Sequence, residues 1–351
     1  MTTPKGDLLQ RKKFCLGIAA AAVVVGLSPA VAHHSYAKFD LQSNIEIEGE
    51  VTEVFWQNPH IRFTVLGSGA DGRTQEWHLE TSSPGILRRA GITDGNVAVG
   101  DRVKVAGNPA VDGSAEMNAT NMLLPDGREL LLGTRGSPRF AGRAVGDGGA
   151  WTATEGDSSR PELGLFRVWS TTFASPGLLG ARDYPLTAAA RRAFENFDPV
   201  AGSQRLANDC TPKGMPWIME QPYDIAFERD GEDILFKLEE FDVVRRIRMN
   251  WEGDRAAQPF TIHGFSTGTW EGQTLVVTTT NLNSPNFKFE ISQSEQASIV
   301  ERFTPTADGS RLDHELVVTD PVTFTEPVRI EKYWISLPSQ AFDAYNCGVP
   351  L

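Results

Sequence analysis

Two adjacent histidines at the predicted start of the mature chain are the residues best placed to do chemistry. His33 and His34 follow Ala30-Val31-Ala32, which matches the small-residue cleavage pattern of a secretory signal. Cleavage after Ala32 would make His33 the N-terminal residue, with a free α-amine beside its imidazole. Such a pair can chelate one metal ion, and imidazole ligands suit copper or zinc. The alternative is a solvated N-terminus without a ligand.

The residues before this point have the layout of a signal peptide. Arg11, Lys12 and Lys13 precede an apolar stretch that runs from Leu16 to Ala32. The stretch is about as long as a short membrane span. However, the small residues at its end and the polar sequence that follows favour a signal peptide that is cleaved off. We therefore predict an exported protein, periplasmic or secreted, with no stable membrane span after processing. Arg11-Lys12-x-Phe14 is a degraded twin-arginine pattern, so the export route stays open.

His60 is the best candidate for a second metal ligand. It follows the turn signal Asn58-Pro59 at the start of a predicted strand. If the next hairpin turns near Ala70, His60 lies opposite Glu80 and Arg62 lies opposite His78. These four side chains would share one polar face, and a carboxylate hydrogen-bonded to a ligating imidazole is a common arrangement around metals. The alternative for His60 is a surface residue bonded to the turn backbone, and His78 is the weaker ligand candidate.

The cysteines predict a disulfide. Cys15 would be discarded with the signal, which leaves Cys210 and Cys347. An even pair in an exported protein is most simply a bridge. Neither residue has a recognisable Cys–His signature around it, so a catalytic cysteine has little support.

Charge and missing motifs exclude several classes of function. Removal of residues 1–32 takes away one acid and four bases and moves the formal net charge from −12 to −15. This balance argues against a general electrostatic attraction to nucleic acid or anionic membranes. The sequence holds no Gly-x-Ser-x-Gly, Walker, dinucleotide or His-Glu-x-x-His pattern. The run from Glu239 to Arg246 is expected to be a solvated strand edge, and the isolated His263 and His314 are expected to be structural.

The N-terminal part is predicted to be a small β-barrel. After the signal peptide, residues 1–32, the domain spans residues 33–132. Three alternating strands are followed by a short helix that opens at Ser82-Ser83-Pro84, and then by two further strands. This order is typical of a five-stranded barrel of the oligonucleotide/oligosaccharide-binding (OB) type. The expected basic face for nucleic acid is missing.

The rest of the chain is predicted to form a second β domain. Residues 133–160 are rich in Gly, Ser and charge, which indicates a flexible linker. Residues 161–351 are expected to form an antiparallel barrel or sandwich with one short helix between Leu186 and Phe197. The whole chain is therefore predicted to be mainly β.

Two stretches of the chain resemble known exported proteins. The N-terminal half resembles an uncharacterised family of exported bacterial proteins, the domain of unknown function 6152. The matching segments are AHHSYAKFD at 32–40, GEVTEVFWQNPH at 49–60, LETSSPGILRR at 79–89, GDRVKVAGNPA at 100–110 and ATNMLLPDG at 119–127. The C-terminal half is more loosely similar to a partner region of such proteins. Its segments are DYPLTAAARRAFENFDP at 183–199, CTPKGMPWIM at 210–219 and GTWEGQTLVVTTTN at 268–281. Neither resemblance implies an activity.

Two hypotheses of different class follow. In the first, an exported protein binds copper, or less readily zinc, through His33, His60 and His34, with Glu80, Arg62 and His78 around the ligands. In the second, a non-catalytic module binds a small ligand in an apolar cavity of the C-terminal barrel, and the N-terminal barrel contacts a protein partner. Metal analysis of the correctly processed protein distinguishes the two.

Overall fold

The computed structural model describes residues 38–133, 136–142, 144–146, 152–176, 183–198, 212–337 and 341–345. The predicted ligands His33 and His34 and the two cysteines of the predicted disulfide, Cys210 and Cys347, lie outside these residues. Within the described ranges, no helix is long and apolar enough to span a membrane.

The N-terminal part is a closed five-stranded barrel, as the sequence predicts. Its strands pair in the order β1-β2-β3-β5-β4, and a parallel pairing of β3 with β5 closes the ring. The strands are β1 (Ile45–Phe55), β2 (Arg62–Ser68), β3 (Thr74–Glu80), β4 (Arg102–Pro109) and β5 (Glu116–Leu123). Alternate residues fill the interior, among them Ile47, Phe63 and Leu79, which are almost completely buried.

Two local features shape this barrel: a close approach of β1 to β2, and a short helix that connects β3 to β4. Gly49 faces Gly67 across β1 and β2, and a Cβ on Gly49 would lie 2.4 Å from the Leu66 carbonyl oxygen. The two strands can therefore approach closely only because both positions are glycine. Between β3 and β4 lies helix α1 (Pro84–Arg89), whose N-terminus is capped by the Ser83 side chain.

Two further strands extend the N-terminal sheet into the predicted linker. They are β6 (Glu129–Leu131) and β7 (Ala144–Val145), which pair in parallel. The buried Glu129 carboxylate accepts hydrogen bonds from the backbone N–H groups of Arg139, Phe140 and Ala141, at 2.7 to 3.0 Å. Hydrogen bonds to Glu129 therefore hold part of the predicted linker, residues 139–141, against the N-terminal barrel.

The C-terminal part is a closed nine-stranded barrel, which confirms the predicted mainly β fold class. Its strands pair in the order β10-β11-β12-β13-β16-β17-β18-β8-β9. They are β8 (Val168–Thr171), β9 (Ile225–Asp230), β10 (Asp233–Leu238), β11 (Val243–Met249), β12 (Phe265–Glu271), β13 (Thr274–Thr280), β16 (Ser298–Pro305), β17 (Arg311–Thr319) and β18 (Val328–Ser336). A two-stranded ribbon, β14 (Asn286–Lys288) and β15 (Ile291–Ser292), and helix α2 (Ala188–Glu195) complete the part.

Large side chains and one buried ion pair fill the interior of the second barrel. The rings of Phe227, Phe236 and Phe303 contact one another, with centroids 4.4 to 5.3 Å apart. Beside them, the guanidinium of Arg245 donates two hydrogen bonds to the Glu301 carboxylate, at 2.6 and 3.2 Å. His314 is stacked on Phe303, and its Nε2 lies 3.4 Å from Glu301 Oε1.

Candidate functional site

His60 and Glu80 form the contact that the sequence predicts. His60 Nδ1 lies 2.9 Å from Glu80 Oε1, and the two side chains are 31% and 14% exposed. Burial alone would raise the pKa of Glu80. The hydrogen bond and charge of His60, together with the Lys38 ammonium, outweigh this effect and hold the pKa below its ordinary value.

The strand register that led to this prediction is wrong by two residues. Arg62, not His60, is directly opposite Glu80, and Thr64, not Arg62, is opposite His78. The reason is that five residues, 69–73, join β2 to β3, so the hairpin centres on Asp71 and not on Ala70; a shift of one residue in the centre moves the pairing by two. His60 still reaches Glu80 because it lies in the turn just before β2.

The other predicted neighbours are on the same polar face but have different contacts. The Arg62 guanidinium lies over the Phe55 ring, 4.0 Å from its centroid. His78 is half exposed, and its Nε2 lies 3.6 Å from Glu76 Oε1. His78 therefore points along its own strand rather than towards His60.

Lys38 and Glu116 complete the site, and sequence reasoning missed both. Lys38 Nζ lies 3.5 Å from Glu80 Oε2 and 2.7 Å from Glu116 Oε2. Glu116 comes close because β5 pairs in parallel with β3, so Glu116 is opposite His78. This long-range pairing leaves no local signal, although Lys38 itself is part of the AHHSYAKFD segment.

A second polar cluster is buried where the two barrels meet. All of the described residues belong to one compact unit, bounded by His33 and Leu351. The Asn58 amide donates a hydrogen bond to Glu239 Oε1 at 2.6 Å, and Tyr223 donates one to the Pro59 carbonyl at 3.3 Å. Both Asn58 and Glu239 are almost inaccessible to solvent. The turn before His60 is therefore bound by the other barrel.

Helix α1 contributes an arginine to the same cluster. Arg89 donates a hydrogen bond to Ser170 Oγ, and its guanidinium lies 3.7 Å from Asp224 Oδ1. Ser170 in turn donates to Asp224 at 2.7 Å. A Cβ on Gly85 would lie 3.8 Å from Asp224 and 3.9 Å from Glu239, so this glycine faces both carboxylates.

The two carboxylates of this cluster retain protons at unusually high pH. Burial raises the pKa of Asp224 to about 6, against the lowering effects of Arg89 and Ser170. Burial, with the charge of Asp224, raises the pKa of Glu239 to about 8. These residues correct the expectation of a solvated strand edge, because Glu239, Glu240 and Arg245 are all buried.

The architecture is thus that of a two-barrel β protein whose first barrel has the strand order of the OB type. Residues 21–119 match the model of a family of unknown function, DUF6152. This confirms the resemblance of the N-terminal half, while the looser resemblance of the C-terminal half lies beyond the matched residues. No curated protein and no solved structure matches the chain.

Proposed function

We propose that this is an exported metal-binding protein in which His33 and His60 bind one ion, copper in preference to zinc. The α-amine and ring of His33 would form a chelate, and the ring of His60 would supply the next ligand. His34, the residue after His33, is a further candidate ligand. Export and cleavage after Ala32 are part of this proposal, since only cleavage creates the amine.

The observation that carries the proposal is the contact of His60 Nδ1 with Glu80. When Nδ1–H donates to the carboxylate, the lone pair of the neutral imidazole is on Nε2, which is then the atom available to a metal. The carboxylate also fixes the orientation of the ring. At 31% exposure, the His60 side chain is accessible to an ion while its inner nitrogen is held in place.

The position of Lys38 supports a contribution from the start of the mature chain. Its ammonium contacts Glu80, the same carboxylate that holds His60. His33 precedes Lys38 by only five residues in the sequence, a length that can extend at most about 17 Å. A segment of this length would let the amine of His33 approach Nε2 of His60.

The described residues do not hold a metal by themselves. Among them, no group of three His, Cys, Asp or Glu side chains is arranged to bind an ion. The proposal accordingly requires ligands from His33. Glu80 and Glu116 add negative charge near the site, which favours a cation, and Lys38 offsets part of it.

Calorimetry with Cu²⁺ and Zn²⁺ on the processed protein tests the proposal. His60→Ala should weaken binding strongly, and an extra Gly before His33 should do the same because it moves the amine out of the chelate ring. Glu80→Gln should weaken binding by roughly 10–100-fold. Affinity should fall at low pH, because imidazoles bind metal only without their proton.

His314→Ala is the matched control, because His314 is buried in the other barrel beside Glu301. It should leave metal affinity unchanged. If the wild-type protein binds neither ion more tightly than a short His-His peptide does, the metal proposal fails. A ligand-binding module would then be preferred, although the interior of the C-terminal barrel is occupied by Phe227, Phe236 and Phe303.

We further propose that Cys210 and Cys347 form a disulfide. Lys213, three residues after the first cysteine, has its Nζ 2.7 Å from Glu240 Oε1. Tyr345, two residues before the second, lies near the same carboxylate, whose charge adds to burial in raising the pKa of this tyrosine. The residues that flank the two cysteines in the sequence thus lie near the same carboxylate, which supports the proposed bridge.

A further inference from the structure

The turn that carries His60 is anchored from outside its own barrel. Asn58 donates to Glu239 at 2.6 Å and also forms a parallel bridge with Tyr345. The carbonyl of Pro59 accepts the hydroxyl of Tyr223 at 3.3 Å. Glu239, Tyr223 and Tyr345 all belong to the C-terminal part of the chain. His60 is the next residue after these two anchored positions.

The other side of His60 is fixed by its own barrel. Ile61 N donates to the Ser82 carbonyl at 3.1 Å, and Thr81 N donates to the Ile61 carbonyl at 3.0 Å. His60 is therefore held between strand contacts that follow it and contacts with the other barrel that precede it. Loss of the preceding contacts would free the backbone on one side of the imidazole.

We propose that the C-terminal barrel positions His60 for metal binding, through the contacts of Glu239 and Tyr223 with the Asn58-Pro59 turn. This inference rests on the proposed function, and it assigns Glu239 and Tyr223 as positioning residues. It explains why the WQNPH segment contains a buried asparagine: Asn58 joins the metal site to the second barrel rather than binding the ion.

The hydrogen bond between Asn58 and Glu239, and the charges around it, agree with a positioning role for Glu239. Asn58 donates to Oε1 of Glu239, while Glu239 Oε2 has no hydrogen-bond partner among the described residues. A proton on Oε2 would make Glu239 a neutral acceptor. The surrounding charged and titratable groups are Asp224, Arg88, Arg89 and Asp343, with Glu240, Lys213, Tyr223 and Tyr345 beyond them.

Ionisation of Glu239 should loosen the anchor. Burial is the largest cause of the raised pKa of Glu239, which is about 8, and residues of the first barrel, Asn58 and Gly85, lie against its carboxylate. The Asn58 hydrogen bond favours the charged form, but burial outweighs it, so ionisation favours a state in which the two barrels separate enough for water to reach this carboxylate. Metal affinity should decrease above pH 8 for this reason.

Copper titration of four processed variants tests the inference. Glu239→Leu removes the acceptor for Asn58 and should weaken Cu²⁺ binding about tenfold, at the lower end of the range for residues that orient a ligand. Tyr223→Phe removes the hydroxyl that bonds to Pro59 and to Tyr345 but keeps the ring and the Asn58–Glu239 contact, so it should weaken binding less. Glu239→Gln keeps a neutral acceptor, so it should retain wild-type affinity at pH 7 and lose the decrease above pH 8.

Glu301→Gln is the matched control. It changes another buried carboxylate of the same barrel, one bonded to Arg245 and not to the Asn58-Pro59 turn. It should lower stability without changing Cu²⁺ affinity. If Glu301→Gln weakens binding as much as Glu239→Leu does, the effect is general destabilisation and the positioning role is wrong.

A metal-free measurement separates this inference from the proposed function. By NMR, Glu239→Leu should shift the ring resonances of His60 and speed hydrogen exchange at the Ile61 amide, and Glu301→Gln should do neither. If the wild type binds Cu²⁺ and Glu239→Leu binds it with the same affinity, the inference is wrong but the proposed function stands. Failure of the wild type to bind Cu²⁺ would overturn the proposed function, and the positioning of a metal ligand with it.

Discussion

Glu239→Gln should make the protein more resistant to alkaline pH. The buried carboxyl of Glu239 has its pKa raised from 4.5 to about 8 by burial and by the charge of Asp224. The folded state therefore holds a proton that the unfolded chain gives up above pH 4.5. The resulting stability is fully present below pH 4.5 and is lost as the pH rises through 8. Glutamine keeps the neutral form at every pH.

The size of the effect follows from the two pKa values. Each pH unit between 4.5 and about 8 changes the free energy of unfolding by about 1.4 kcal/mol. Between pH 5 and pH 9 the wild type should lose on the order of 4 kcal/mol relative to Glu239→Gln. Asp224, with its pKa raised to about 6, has the same sign and remains in both proteins; because its charge is one cause of the raised pKa of Glu239, the comparison measures Glu239 beside an ionised Asp224.

Urea unfolding of the metal-free protein at a series of pH values measures this difference. Glu301→Gln serves as the control, because the charge of Arg245 and the contact with His314 overcome burial and lower the pKa of Glu301 to about 2. That carboxyl does not titrate between pH 5 and pH 9. If the wild type and Glu239→Gln lose stability in parallel over this range, Glu239 does not hold its proton and the reasoning is refuted.

Three other predictions concern the rest of the chain. The mature protein should begin at His33 by intact mass spectrometry, and a form that retains the signal would lack the chelating amine. Cys210→Ser should lower the free energy of unfolding by about 2–5 kcal/mol, and detection of two free thiols in the exported wild type would show that the pairing is wrong. Arg245→Ala should cost about 3–5 kcal/mol in urea unfolding at pH 7, because it leaves the buried Glu301 carboxylate without its partner; a cost below 1 kcal/mol would contradict this account of the ion pair.

The first barrel could be predicted because its signals are local. Asp71-Gly72 marks the hairpin, with Gly72 at φ +70°, and Ser83 caps a helix that begins at Pro84. The second barrel could be predicted only as a barrel or sandwich. It closes through the pairing of Trp334 with Thr171 and of Val168 with Ala226, and no local pattern specifies partners so far apart in the chain.

The candidate site could be predicted only where its signals are local in the sequence. The Asn-Pro signal before His60 and the alternation of β3 were enough to select Glu80 as its partner, although the register was wrong. Glu239 could not be identified as an anchor. A run of acidic and basic residues is ordinarily solvated, and only the packing of two barrels shows that this one is buried.

Electron paramagnetic resonance of the processed protein with one equivalent of Cu²⁺ tests the central claim most directly. The account predicts three nitrogen ligands: the α-amine and ring of His33 and the ring of His60. His60→Ala should then lose one nitrogen from the spectrum, while His314→Ala should keep all three. A wild-type spectrum identical to that of His60→Ala would contradict the claim that His60 binds the metal.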